Sequence, residues 1–186
     1  MRLFVAVNFP GDMRRDIWNA SAALRSASLP VRWVEESALH VTLKFLGDVA
    51  PDRRDDLVTT LGEAADGTRA FTLPVTGFGA FPSVERPRVI WVGCEGVPTL
   101  ELLQHRLEQR MERLGFPLEG RAFRPHLTLG RVKQGARSAS FARLEQLLEG
   151  VEYAGECVIR SVELMESTLG HEGAHYRPVH SVTFRD

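Results

Sequence analysis

Residues 40–43 read His-Val-Thr-Leu and residues 126–129 read His-Leu-Thr-Leu. With 6 His among 186 residues, two His-x-Thr-Leu strings arise by chance about once in a thousand such chains. Each string lies in a strand-like apolar run, Leu39 to Leu46 and Pro125 to Val132. In a strand, side chains two apart share a face about 6.5–7 Å apart. Each motif therefore sends an imidazole and a hydroxyl into one space, while Val41, Leu43, Leu127 and Leu129 turn into the core. Two such strands facing each other would set two His and two Thr around a common centre with a pseudo-two-fold relation.

The rest of the chain supplies a scaffold for two similar halves. Leu3, Val5 and Val7 alternate with Arg2, Phe4 and Ala6, which predicts a first strand that Pro10-Gly11 ends. Met13, Ile17 and Leu24 recur at helical spacing up to Pro30, a short strand follows at Val31 to Val34, and Leu57, Leu61 and Ala64 mark a second helix between Pro51 and Gly67. Phe71 to Val75 and Arg88 to Val92 read as strands, and Leu100, Leu103, Leu107, Met111 and Leu114 form a strong helical stripe that Gly115 terminates. A shorter helix covers Phe141 to Leu148, and Val158 to Leu169 and Tyr176 to Phe184 read as two last strands joined by a glycine-containing turn. No linker or low-complexity run divides the chain, so the expectation is one α+β domain over 1–186, bilobal, with two mainly antiparallel sheets, flanking helices and a groove between the lobes.

Composition removes several alternatives. At 44% hydrophobic residues and 25% charged, with 10 Phe and 3 Trp, the chain is globular. A net charge of -1 leaves any attraction to nucleic acid to a local patch. The opening apolar run, Leu3 to Val7, is too short for a signal-peptide core or a membrane span, and the chain is read as cytoplasmic with no membrane partner. Cys94 and Cys157 offer neither a disulfide framework nor a thiolate metal site.

Two imidazoles on opposite sides of a reacting centre suit an in-line displacement, one taking a proton from the nucleophile and the other giving one to the leaving group. Histidine's ordinary pKa, roughly 6.5, lies near working pH. Thr42 and Thr128 can donate to non-bridging phosphate oxygens. Such a site needs no metal and no cofactor.

These motifs, with the opening Arg2-Leu3-Phe4-Val5-Ala6-Val7, Trp33, the extension Lys44-Phe45-Leu46-Gly47, Trp91, Pro125, Gly130-Arg131 and the ending Glu166-Ser167…Gly173…Tyr176, resemble the two-histidine phosphoesterases, in particular the LigT-like RNA 2′,3′-cyclic phosphodiesterases. The resemblance spans nearly the whole chain. It implies metal-free hydrolysis of a terminal 2′,3′-cyclic phosphate to a 2′-phosphate, with His126 as proton acceptor and His40 as proton donor, a division that the pseudo-symmetry of the sequence does not itself make. The partners it implies are RNA ends, for some members tRNA halves joined through a 2′–5′ bond, acted on by a monomer. The rivals are a 2′–5′ RNA ligase and an RNA end-binding protein without turnover.

Strand parity adds Lys44 beside His40 and Thr42, and Arg124 beside His126 and Thr128, as groove-facing cations. Arg131 has the wrong parity unless Gly130 permits a bulge. The basic stretch Arg131, Lys133, Arg137 and Arg143 could guide an RNA strand. Phe4, Trp33, Phe45 and Tyr176 are candidates to stack a base, with core packing favoured for Phe4 and for Phe45, which parity turns inward. His171-Glu172-Gly173-Ala174-His175 matches the zinc-protease pattern, but Gly170 and Gly173 oppose the helix that must present its ligands, so a hairpin turn is expected there. His105 is expected at a helix surface, and His180 carries no clear signal.

Overall fold

A computed structural model describes residues 1–169 and 174–186. Strand β1 (Arg2–Asn8) is followed by helices α1 (Gly11–Ala20) and α2 (Ala22–Ser26), short strand β2 (Val31–Trp33), strand β3 (His40–Asp48) and helix α3 (Arg54–Ala65). The second half holds β4 (Phe71–Phe81), β5 (Val89–Cys94), α4 (Pro98–Arg113), β6 (His126–Val132), α5 (Leu144–Glu149), β7 (Ala154–Ile159), β8 (Ser161–Leu169) and β9 (Ala174–Thr183). The run expected as one strand from Val158 to Leu169 is broken at Arg160, and its parts separate widely. Strand β7 pairs with β4 at one edge, whereas β8 lies between β1 and β9.

The strands lie in the order β7-β4-β5-β6-β3-β1-β8-β9, each neighbouring pair antiparallel. Two four-stranded halves meet at a single residue pair, Val41 with Leu127. Beyond that pair β6 leaves β3 and takes β2 instead, through Val31–Val132, Arg32–Arg131 and Trp33–Gly130. Helices cover one face. Leu57 and Leu61 of α3 and Leu100, Leu103, Leu107 and Met111 of α4 are buried in one core with Val5, Val41, Val92 and Leu127. Each fully buried Leu or Val contributes roughly 1.5–3 kcal/mol. The opposite face carries a smaller cluster of Phe4, Ala6 and Met165, with Tyr176 packed against it.

Two bulges decide which side chains reach that second face. Along β1, Val5 pairs with Lys44 but Ala6 with Thr42, which leaves Leu43 as an extra residue in β3. Along β5, Ile90 pairs with Gly130 but Trp91 with Thr128, which leaves Leu129 as the extra residue in β6. Both extra residues are the leucine of the His-x-Thr-Leu motif. An extra residue reverses the alternation beyond it, so Leu43 and Lys44 are buried in succession while Phe45 is 56% exposed. The same reversal buries Leu129 and Gly130 and exposes Arg131.

Candidate active site

Val41 and Leu127 are fully buried on the helix face. Their neighbours His40, Thr42, His126 and Thr128, all half-buried, therefore emerge together on the other face. Antiparallel register about the Val41–Leu127 pair sets His40 across from Thr128 and Thr42 across from His126. The four motif residues thus flank the one β3–β6 residue pair that joins the halves of the sheet among the described residues.

Both imidazoles are held alike. Nδ1 of His40 donates to the Ala38 carbonyl at 2.7 Å, and Nδ1 of His126 donates to the Arg124 carbonyl at 2.7 Å. A carbonyl only accepts, so in each neutral ring Nδ1 carries the proton and Nε2 has the free lone pair. His40 Nε2 accepts from the Thr42 hydroxyl at 3.1 Å. Burial lowers the His40 pKa to about 4, the Arg131 and His126 charges act in the same direction, and the Ala38 carbonyl opposes them. The His126 pKa is also lowered, by burial first and then by Arg131, against the Arg124 carbonyl.

Aromatic walls complete each side. His40 packs against Phe4 at 4.9 Å between ring centroids and meets Tyr176 edge-on at 5.1 Å. His126 meets Phe81 edge-on at 5.0 Å, and Phe81 rests on Trp91 at 5.0 Å. The Trp91 indole lies over two strand glycines: a Cβ on Gly79 would collide with the ring, and one on Gly93 would fall 2.9 Å from the Thr76 carbonyl.

The structure redistributes the other expected groove residues. Lys44 is a correction: the Leu43 bulge turns it to the helix face, where it is 2% exposed and its ammonium donates to Glu108 Oε2 at 2.7 Å and to the Pro117 carbonyl. Phe45 is the complementary correction, exposed and 6.2 Å from the Phe4 ring instead of in the core. Trp33 packs partly buried against the main core. Arg131 lies close enough to bear on both imidazoles, brought there by a bulge at Leu129 and not at Gly130. Arg124 is exposed, with its guanidinium 6.0 Å from the Phe81 ring centre. Tyr176 stands beside His40 and Phe4.

Sequence reasoning missed Phe81, although the glycines of Gly77-Phe78-Gly79-Ala80-Phe81, unusual in a strand interior, hint at close packing there. It also missed a polar network behind His40. Asn8 pairs with His40 across β1 and β3, and its amide donates to Glu163 Oε2 at 3.1 Å. The other oxygen of Glu163, a residue 8% exposed, accepts from the hydroxyls of Ser161 and Ser181. No local signal could have joined Asn8 to Glu163, 155 positions along the chain.

Among the described residues no group of three or more His, Cys, Asp or Glu side chains is placed to hold a metal ion, and no helix is long and apolar enough to cross a membrane. His171, Glu172 and Gly173 lie outside the described residues, whereas His175 is exposed on β9, paired with Thr168. His105 is exposed on α4 and His180 half-buried on β9. Burial raises both thiols, that of Cys157 to about 11.

Residues 13–171 match the family model of the 2′-5′ RNA ligase superfamily. An RNA 2′,3′-cyclic phosphodiesterase of Methanothermobacter thermautotrophicus is 34% identical over 176 residues, covering 95% of each chain. A crystal structure from Thermus thermophilus superposes with a TM-score of 0.82 at 26% identity, covering 100% of this chain and 98% of its own. LigT of Escherichia coli, solved in complex with 3′-AMP, superposes with a TM-score of 0.79 at 25% identity and the same coverage.

Proposed function

The chain belongs to the 2′-5′ RNA ligase superfamily, and from that premise we propose that it hydrolyses the terminal 2′,3′-cyclic phosphate of RNA to a 2′-phosphate by histidine acid-base chemistry. The observation that carries this reading is the matched pair of imidazoles. Each is fixed through Nδ1 to a carbonyl two residues upstream, leaving Nε2 as its reactive atom, which in His40 meets the Thr42 hydroxyl.

His126 Nε2 takes a proton from water as the water oxygen bonds to phosphorus. The bond from phosphorus to the 3′ oxygen breaks, and His40 Nε2–H supplies the proton that this oxygen needs. Thr42 and Thr128 donate to the non-bridging oxygens, and Arg131 offsets the charge that gathers on them. In the free protein His40 is neutral near pH 7 because its pKa is about 4. The phosphate anion must therefore supply the field that protonates it: an adjacent negative charge favours the imidazolium.

The superfamily to which the chain belongs supports a second reading for the same geometry. If the 5′ hydroxyl of a second RNA replaced water, attack at phosphorus with loss of the 3′ oxygen would give a 2′–5′ bond. One pair of assays separates the possibilities: incubation with a nucleoside 2′,3′-cyclic phosphate, and with two RNA ends. Hydrolysis is expected, and it should fall by about 10²–10⁴ in His40→Ala and in His126→Ala. Joining without hydrolysis would replace the proposal by the ligase reading, and saturable binding without product by an end-binding protein.

A further inference from the structure

Arg32 and Arg131 are direct cross-strand partners on β2 and β6. Both are exposed, and among the described residues neither has a carboxylate within salt-bridge distance. Like charges directly opposite each other destabilise a sheet. The pair is therefore a local electrostatic cost that no ion pair among the described residues offsets.

The face on which the pair stands is fixed independently. A Cβ on Gly130 would meet Val31 Cγ1 at 2.5 Å and the Trp33 ring at 2.8 Å, so Val31 and Trp33 share the buried side with Gly130. Arg32, between them, takes the opposite side. Arg131, the residue after Gly130 in β6 and exposed, takes it too, and its charge lowers both imidazole pKa values. One row of cross-strand partners runs from Phe81 through Val89 and Arg131 to Arg32, across β4, β5, β6 and β2. Adjacent strands are about 4.8 Å apart. Phe81 packs against His126 at one end of the row, Arg131 stands within the field of the imidazoles, and Arg32 lies one strand further out.

We infer that Arg32 binds the phosphodiester next to the reacting phosphate, so that the site takes an RNA strand and not only its terminal nucleotide. The inference rests on the proposed activity for the identity of the strand. The chemistry that would recognise the pair is a polyanion with two phosphates in succession, one for each guanidinium, and the second phosphate relieves the repulsion that the free protein carries.

Binding, which does not depend on turnover, tests it. The probes are a mononucleotide with a 2′-phosphate and a tetranucleotide RNA ending in the same 2′-phosphate, titrated calorimetrically at several salt concentrations. The wild-type protein should prefer the tetranucleotide. Arg32→Gln should reduce that preference about 3- to 10-fold, the scale of one exposed ionic contact. It should also lower the salt slope for the tetranucleotide by about 0.7, the value for one single-strand phosphate contact. Arg32→Lys should keep most of the slope. Equal wild-type affinity for the two probes, an unchanged preference in Arg32→Gln, or no binding of either probe would each overturn the inference. If cyclic phosphate is not hydrolysed but the tetranucleotide preference depends on Arg32, the activity fails while the strand-binding surface stands.

Discussion

Lys44 gives the sharpest test of the backbone, because its place depends on a single extra residue. On the helix face its ammonium is 1% exposed at the side chain and paired with Glu108 at 2.7 Å, with the Pro117 carbonyl as second acceptor. Lys44→Met keeps the length of the stem and removes the charge. Breaking a buried ion pair by removing one partner costs about 3–5 kcal/mol. Glu108 would still accept from the Glu119 backbone N–H at 3.0 Å and from Gln104 at 3.2 Å, which places the cost near the lower end, about 3 kcal/mol. For a chain of this size that lowers Tm by about 6–12 °C. The double variant Lys44→Met with Glu108→Leu leaves no charge behind and should regain most of the loss. Calorimetric melting and kcat/KM on a cyclic-phosphate nucleotide should be measured on the same preparations. Below the melting range both variants should keep kcat/KM within about threefold, since neither residue faces the groove, a shift of under 1 kcal/mol. A Lys44→Met protein that melts like wild type but loses kcat/KM tenfold or more would refute the bulge at Leu43 and return Lys44 to the phosphate.

Other expectations concern the groove itself. Thr42→Val and Thr128→Val preserve shape and delete one donor each, so each should lower kcat by about 10–10³; unchanged steady-state kinetics in both would remove the hydroxyls from the mechanism. The His40 ring should titrate near pH 4 in the free protein by NMR and move upward when a 2′-phosphate nucleotide is added, whereas a His40 midpoint near 6.5 in the free protein would contradict its burial. Because the unfolded chain binds a proton at His40 more readily than the folded one, stability should decline as pH falls from about 6.5 toward 4, by on the order of 3 kcal/mol from this group, as urea melts across that window would record. Extensive EDTA treatment should leave hydrolysis intact, and stoichiometric zinc whose removal abolishes activity and whose return restores it would instead favour the His171 to His175 motif.

The twin motifs and the order of elements were legible because they depend on short-range pattern: alternation, helical stripes, and Pro and Gly at the ends of segments. Strand parity was legible only as far as Thr42 and Thr128. Nothing in Leu43 or Leu129 marks it as an extra residue, since a leucine is equally at home in a regular strand. Whether a bulge forms is decided by the partner strand, here by how Val5 with Ala6 and Ile90 with Trp91 register against the motif. The bulge at Leu43 exchanged Lys44 for Phe45 at the groove, and the bulge at Leu129 admitted Arg131. Contacts such as Asn8 with Glu163 and Arg32 beside Arg131 depend on which strands become neighbours, a long-range choice that local residue pattern does not encode.

A sheet whose halves touch through one backbone pair also has a mechanical character. Val41 and Leu127 form a fulcrum, and a small change in the angle between the halves displaces each atom in proportion to its distance from that point. The two imidazoles are immediate neighbours of the fulcrum, so they travel least. Phe45, four residues along β3 from Val41, and Arg32, on the strand beyond β6, stand farther out. On the proposed chemistry, the distance between the two imidazoles is thus the one least sensitive to the angle between the halves of the sheet.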